Sequence, residues 1–234
     1  MKYQSIFILL LIVDHILAAL YKNHYQYAVV IDAGSSGSRA YLYKWPQHSG
    51  DPKDLLLISP VMSLSGKPLY KKVMPGLSGL KDKPEDALEY IRPLLTFAQE
   101  HIPRHKIHET PLYILATAGM RMLEPMKQEA ILSSVRNAVE NNFDFLFPDG
   151  NLEVISGKQE GIYQWLAINY VLGKFDNDES GDSLVALEPK SDYDHVVLRP
   201  RTVGAIDMGG ASMQIAMEIT SKLQLEGMSV SYYA

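Results

Sequence analysis

Ile31-Asp32-Ala33-Gly34-Ser35-Ser36-Gly37-Ser38-Arg39 and Ile206-Asp207-Met208-Gly209-Gly210-Ala211-Ser212-Met213-Gln214 are two versions of one pattern, set near opposite ends of a 234-residue chain. Each runs from apolar residues into Asp-x-Gly, then small hydroxyl and glycine residues, then further apolar residues. That pattern predicts strand, tight loop, strand. An Asp at a strand end can hold a divalent cation, directly or through water. A loop of Gly, Ser and Ala lets backbone N–H groups approach phosphate oxygens without obstruction. Two such loops face to face would hold a polyphosphate and its cation from both sides.

Outside the two loops, composition narrows the classes. The chain is 47% hydrophobic, enough for a real core in one large or two small domains. A net charge of −5 and the lack of any Lys/Arg cluster or zinc spacing argue against nucleic acid as a partner. There is no cysteine, hence neither a disulfide framework nor a thiol nucleophile. At the N-terminus, Lys2 precedes an apolar run over 6–13, which Asp14 and His15 interrupt before 16–20 resumes it. This is shorter than the ~20 apolar residues of a membrane span. Residues 1–20 read as a secretory signal or a short membrane anchor, which places the protein in the secretory pathway.

Between the loops, strands and helices alternate, which predicts an α/β fold with loops gathered at strand ends. Strands are expected over 27–31, 40–45, 55–58, 69–73, 112–115 and 152–155. Helices are expected from 82 toward 101 with a kink or break at Pro93, over 125–140, and over 157–172. Residues 203–206 and 214–217 flank the second loop as strands. The stretch 176–200 is rich in Asp and Glu and reads as a solvated, partly disordered insertion. Its opening Asp176, Asp178 and Ser180 imitate a calcium loop, but Leu187 stands where the bidentate Glu is needed.

Four blocks carry the chemistry: Asp32-Ala-Gly-Ser-Ser-Gly-Ser-Arg39, Ala116-Thr-Ala-Gly-Met-Arg121, Ile155-Ser-Gly-Lys-Gln-Glu-Gly-Ile-Tyr-Gln-Trp165 and Asp207-Met-Gly-Gly-Ala-Ser-Met-Gln214. In this order they resemble the first four conserved regions of the apyrase family, the nucleoside triphosphate diphosphohydrolases, over about residues 27–218. The segments 109–115, 142–147 and 153–161 resemble the Golgi and lysosomal intracellular branch most. The resemblance implies a ribonuclease-H-like lobe of the actin–hexokinase–Hsp70 superfamily. It also implies hydrolysis of the terminal phosphate of nucleoside di- and triphosphates with Ca2+ or Mg2+, water attacking in line.

By position the resemblance makes Glu160 the general base, with Ser212 and Gln214 helping it to place the water. Asp32 and Asp207 would hold the hydrated cation, and Thr117 would touch one of its waters. Ser35, Ser36, Gly37 and Ser38 would cradle one phosphate, and Gly209, Gly210 and Ala211 with Ser212 another. Arg39 would add charge near the phosphates or pair with a carboxylate. Arg121 and Trp165 would pack or pair within the fold. The residues by themselves agree on Glu160. It falls just inside a helix that follows a strand, and Gly157 and Gly161 leave room beside it.

The family also has a fifth block and a second lobe, and this chain ends at Ala234, shortly after block four. The expectation is therefore the first lobe alone over 21–234, with the second lobe absent. Met213 stands where a small Thr is usual. Three readings follow: an apyrase-type nucleotidase acting on UDP or GDP in the Golgi lumen, an exopolyphosphatase-like phosphohydrolase, or an inactive lobe that binds a second lobe or the full-length enzyme. A Walker-type loop is excluded because Leu152 and Gln159 flank Ser156-Gly157-Lys158. A Gly-x-Ser-x-Gly elbow is excluded because Ser38 replaces its last glycine. His101, His105 and His108 surround Pro103 and read as a polar loop.

Overall fold

The computed structural model describes residues 25–51, 54–175, 184–187 and 197–218. The expected signal or anchor over 1–20 lies outside these residues, as does most of the acidic stretch over 176–200.

β1 (Tyr25–Ala33) is the central strand of a six-stranded sheet. It pairs antiparallel with β2 (Ser38–Pro46), which also pairs with the short β3 (Ser59–Pro60) and with β4 (Tyr70–Val73). On its other side β1 runs parallel to β5 (Leu112–Ala116), and β5 runs parallel to β6 (Leu152–Val154). Val29, Ile31 and Ala33 of β1, Ala40 and Leu42 of β2, and Leu112 and Ile114 of β5 are buried on one face. The alternate residues, Asp32 and Tyr113 among them, lie on the less covered face, as the two-residue period of a strand requires.

α1 (Ala87–His101) and α3 (Pro125–Glu140) pack on each other, and their buried Ile91, Leu94, Leu95, Ile131 and Val135 join the core of the sheet. Pro93 does not break α1. It is exposed, so the carbonyl that its missing N–H leaves unbonded lies on the water side. The expected strand over 55–58 is absent. The Tyr170 hydroxyl instead donates to the Leu56 carbonyl and accepts from the Ile58 N–H, tying that segment to a helix rather than to the sheet. Just past β5 the chain closes into one helical turn, α2 (Ala118–Arg121).

After β6 comes α4 (Gly157–Val171), with Ser156 as its cap. The Ser156 hydroxyl accepts from the Gln159 N–H at 3.2 Å, and the Gln159 side chain accepts from the Ser156 N–H at 2.9 Å. This reciprocal box fixes the first turn. β7 (Leu184–Leu187) and β8 (Val197–Pro200), within the acidic stretch, pair antiparallel. β9 (Ala205–Met208) and β10 (Met213–Ala216) form another hairpin, which is a sheet of its own and not part of the six-stranded one.

α4 packs on one face of that last hairpin. Fully buried Asn169 holds the chain entering it: its Nδ2 donates to the Val203 carbonyl at 3.0 Å, and its Oδ1 accepts from the Val203 N–H at 2.7 Å. The other face presents Ile206, Met208, Met213, Ile215 and Met217, each at least 61% exposed.

Candidate functional site

Asp32 is the penultimate residue of β1, and the register sets it between Arg39 of β2 and Leu115 of β5. The loop 34–37 carries the chain across to β2. Its counterpart 209–212 is closed by the Gly209 N–H donating to the Ser212 carbonyl at 2.9 Å. The two loops meet. A methyl group placed on Gly210 would come within 2.9 Å of the Ser35 hydroxyl oxygen. The facing arrangement expected from the repeated pattern is therefore present, although the loops stand on different sheets.

α4 enters this junction at its N-terminus. Glu160 lies in the first turn that Ser156 caps, and its side chain is 14% exposed. A methyl group on Gly161 would lie 3.2 Å from Cβ of Gln214, and one on Gly157 would lie 3.6 Å from Gln214 Nε2. The small residues beside Glu160 thus bring β10 close. Gln214 pairs in register with Asp207, so both project on the face that α4 covers.

Arg121, expected to pack or pair within the fold, pairs at the centre of this junction. From the last position of α2, its Nη1 donates to the Ile155 carbonyl at 2.8 Å and to Glu160 Oε2 at 2.9 Å. Its Nη2 donates to the Ser212 hydroxyl at 3.3 Å. One planar fork therefore joins the loop before α4, the carboxylate expected to act as base, and the second loop. Its place in the Ala-Thr-Ala-Gly-Met-Arg block was the only signal, and nothing local names its partners. Trp165 packs as expected, edge-on to Phe175 with ring centroids 5.8 Å apart.

Other expected residues separate into those that face the junction and those that do not. Thr117 is buried where β5 ends, its N–H donating to the Ala33 carbonyl at 3.2 Å beside the first loop. Ser35 and exposed Ser36 belong to the open part of that loop, and Gly209, Gly210 and Ala211 are exposed. Ser38 requires a correction. It opens β2 on the core side with Ala40 and Leu42, is 1% exposed, and shares a 2.7 Å hydrogen bond with Tyr90 Oη. Its hydroxyl is engaged by Tyr90 in the core and is not open to the loop. Arg39 lies 3.6 Å from Asp32 Oδ2, so of its two expected roles the structure shows carboxylate pairing.

Charge is unevenly balanced here. Burial pushes the Asp32 carboxyl above its ordinary range, Arg39 pulls it back, and Glu160 and Asp207 push it up again. Three carboxylates thus gather within reach of one another's fields, with Arg39 and Arg121 already engaged. Gln214 Oε1 is buried and accepts no hydrogen bond among the described residues. An added cation with its waters fits both features, since it would offset the carboxylates and give that oxygen a donor. Among the described residues no three His, Asp or Glu side chains are placed to hold an ion directly.

Comparisons with known proteins identify the family. A family model described as GDA1/CD39 (nucleoside phosphatase) matches residues 18–231. Ectonucleoside triphosphate diphosphohydrolase 7 of Xenopus tropicalis is 49% identical over 198 residues, covering 85% of this chain and 32% of its own. Ectonucleoside triphosphate diphosphohydrolase 4 of Homo sapiens is 50% identical over 196 residues, covering 83% and 32%. Nucleoside-diphosphatase mig-23 of Caenorhabditis elegans is 43% identical over 194 residues, covering 83% and 33%. The chain spans about a third of the length of these curated relatives. A crystal structure of nucleoside triphosphate hydrolases from Neospora caninum superposes with a TM-score of 0.55 at 19% identity, covering 93% of this chain and 44% of that one, which shows a shared fold.

Proposed function

This chain belongs to the GDA1/CD39 (nucleoside phosphatase) family, and from that premise we propose that it takes part in divalent-cation-dependent hydrolysis of the terminal phosphate of nucleoside di- and triphosphates. The observation that carries the reading is the convergence of Glu160, Ser212 and Gln214 on two facing Asp-x-Gly loops. Glu160 accepts the proton of a water molecule as that water attacks the terminal phosphorus. The new P–O bond forms as the bridging P–O bond breaks, and the shortened nucleotide leaves with the bond's electron pair. General-base help of this kind is worth about 10²–10⁴ in rate. Arg121 holds Glu160 and Ser212 in one frame. Gln214 has a free acceptor to orient the water.

The backbone of loop 34–37 and that of loop 209–212 would each cradle phosphate oxygens, with Ser35 and Ser36 adding hydroxyl contacts. Asp32 and Asp207 would hold Ca2+ or Mg2+ through water, with Thr117 beside one of those waters. When bound, the cation draws charge from the phosphate oxygens. Residues 1–20 are a signal or anchor, followed by the phosphate-binding lobe over 21–234. The broken apolar stretch over 6–20 supports entry to the secretory pathway, and UDP or GDP in the Golgi lumen is the substrate class proposed there. Among the described residues no helix is long and apolar enough to cross a membrane.

A lobe that works by binding a second lobe or the full-length enzyme is the alternative. The outward apolar face of the β9–β10 hairpin favours it. Phosphate release from UDP, GDP, ATP and inorganic polyphosphate, with Ca2+ or Mg2+ and beside Glu160→Gln, separates the readings. Cation-dependent nucleotide turnover that Glu160→Gln abolishes is the expected result. Turnover that survives in Glu160→Gln would overturn the assignment of the base.

A further inference from the structure

The first loop rests on a part of the chain that none of the four sequence blocks contains. Residues 73–78 leave β4 and pass beneath loop 34–37 as a strap. Gly76, at its middle, is buried. A methyl group there would lie 2.5 Å from the Gly34 carbonyl oxygen, 2.8 Å from the Ser35 carbonyl carbon, and closer still to the Ser35 carbonyl oxygen. All three are backbone atoms, so no side chain can swing aside. Gly76 has φ −63° and ψ 161°, a conformation that any residue adopts. The glycine is therefore required by space and not by backbone freedom.

The strap is itself anchored. Leu77 is 1% exposed in the core. The Tyr90 hydroxyl, from α1, donates to the Pro75 carbonyl at 2.8 Å. Having one proton, it can only accept from the Ser38 hydroxyl at 2.7 Å. This bridge ties the strap to the first residue of β2, just past the loop. A methyl group on Gly37 would meet the Val73 carbonyl oxygen at 2.6 Å, so the far end of the loop presses on the strap as well.

We propose that strap 73–78 is the positioning element of the first phosphate loop, with Gly76 setting where the Gly34–Ser35 backbone lies and Tyr90 locking the strap in place. The proposal rests on the phosphate-binding reading of that loop. Gly76→Ala must move the loop backbone by about 1 Å to reach ordinary contact, a displacement that can cost about 10²-fold when a site depends on its placement. The strap needs no contact with the nucleotide to have this effect.

The test uses the full 234-residue chain with Mg2+ and α,β-methylene-UDP, a diphosphate that cannot be cleaved. Amide NMR spectra of wild type, Gly76→Ala, Tyr90→Phe and Gly150→Ala are compared, with binding measured by calorimetry. Gly150 is the control, since a methyl there meets nothing within 4 Å. Gly76→Ala is expected to shift the amides of 34–37, leave those of β5 in place, and weaken binding about 10–100-fold. Tyr90→Phe adds no volume, so it keeps the test valid if Gly76→Ala fails to fold; it is expected to move the same amides with a smaller loss. Unmoved loop amides, or analogue binding within about twofold of wild type in both variants, overturn the strap alone. A wild type that binds no analogue overturns the phosphate reading, and the strap's role with it.

Discussion

Replacing Arg121 by Met removes one guanidinium and leaves three acceptors behind: the Ile155 carbonyl, the Glu160 carboxylate and the Ser212 hydroxyl. The side chains of Arg121 and Glu160 are 21% and 14% exposed, so the pair is mostly but not wholly out of water. Breaking a fully buried pair by deleting one partner costs about 3–5 kcal/mol. The exposure left here lets water reach the stranded carboxylate, so about 2–3 kcal/mol is expected. For a chain of this size that lowers the melting midpoint by roughly 5–10 °C. Arg121→Lys keeps the charge but offers one point donor in place of a fork, and should fall between the two. Where the chain turns over nucleotide, kcat should drop by about 10²-fold in Arg121→Met as Glu160 loses its fixed position. A double-mutant cycle with Glu160→Gln, read by urea unfolding, isolates the pair. A coupling of about 1–2 kcal/mol is expected, since the Gln still accepts a neutral hydrogen bond. Effects that add to within about 0.5 kcal/mol would refute the claim that this pair holds the junction together.

Asp32 supplies a pH test. Its carboxyl is raised above 3.8 in the fold, first by burial, so the folded state prefers the proton more than the unfolded chain does. That contribution to stability is full below 3.8 and is lost as pH climbs through the raised value. Without divalent cation, Asp32→Asn should therefore gain on wild type in melting midpoint between acid and neutral pH, and adding Ca2+ or Mg2+ should raise only the wild type. A constant difference across that range would contradict the direction. Gly119→Ala would bring a methyl within 2.8 Å of the Ser35 Cα, a backbone atom, and should cost about 1–3 kcal/mol by thermal unfolding, whereas Gly150→Ala should be neutral or stabilising. Ser156→Ala removes the cap under Glu160 and should cost about 1 kcal/mol, read as a midpoint about 2–4 °C lower.

Much of this was legible along the chain because the signals are local. Pro125 at the first helical position and the period of the following residues place α3 with the boundaries expected. Ser156 and Gln159 announce the start of α4 three residues apart. The repeated Asp-x-Gly pattern marks both strand-to-strand loops, and the four blocks in order identify the family. Where reading by residue type failed, the cause was geometric. Ser38 is as hydroxylic as Ser35 and Ser36, yet the two-residue period of β2 turns it into the core toward Tyr90. Pro93 looks like a break, but it falls on the wet side of α1.

The α/β class, the two loops, the helix that carries Glu160 and the family were all readable along the chain. Each depends on spacings of a few residues, which backbone hydrogen bonding and side-chain periodicity read directly. Packing of the whole chain set the second loop on a hairpin of its own, covered by α4, with Gly210 against Ser35 of the first. It alone brought Arg121 onto Glu160 and Ser212, which lie 39 and 91 positions away, and set Gly76 beneath a loop some forty residues before it. Such meetings depend on which faces are buried together when the whole chain packs, and no local pattern encodes them.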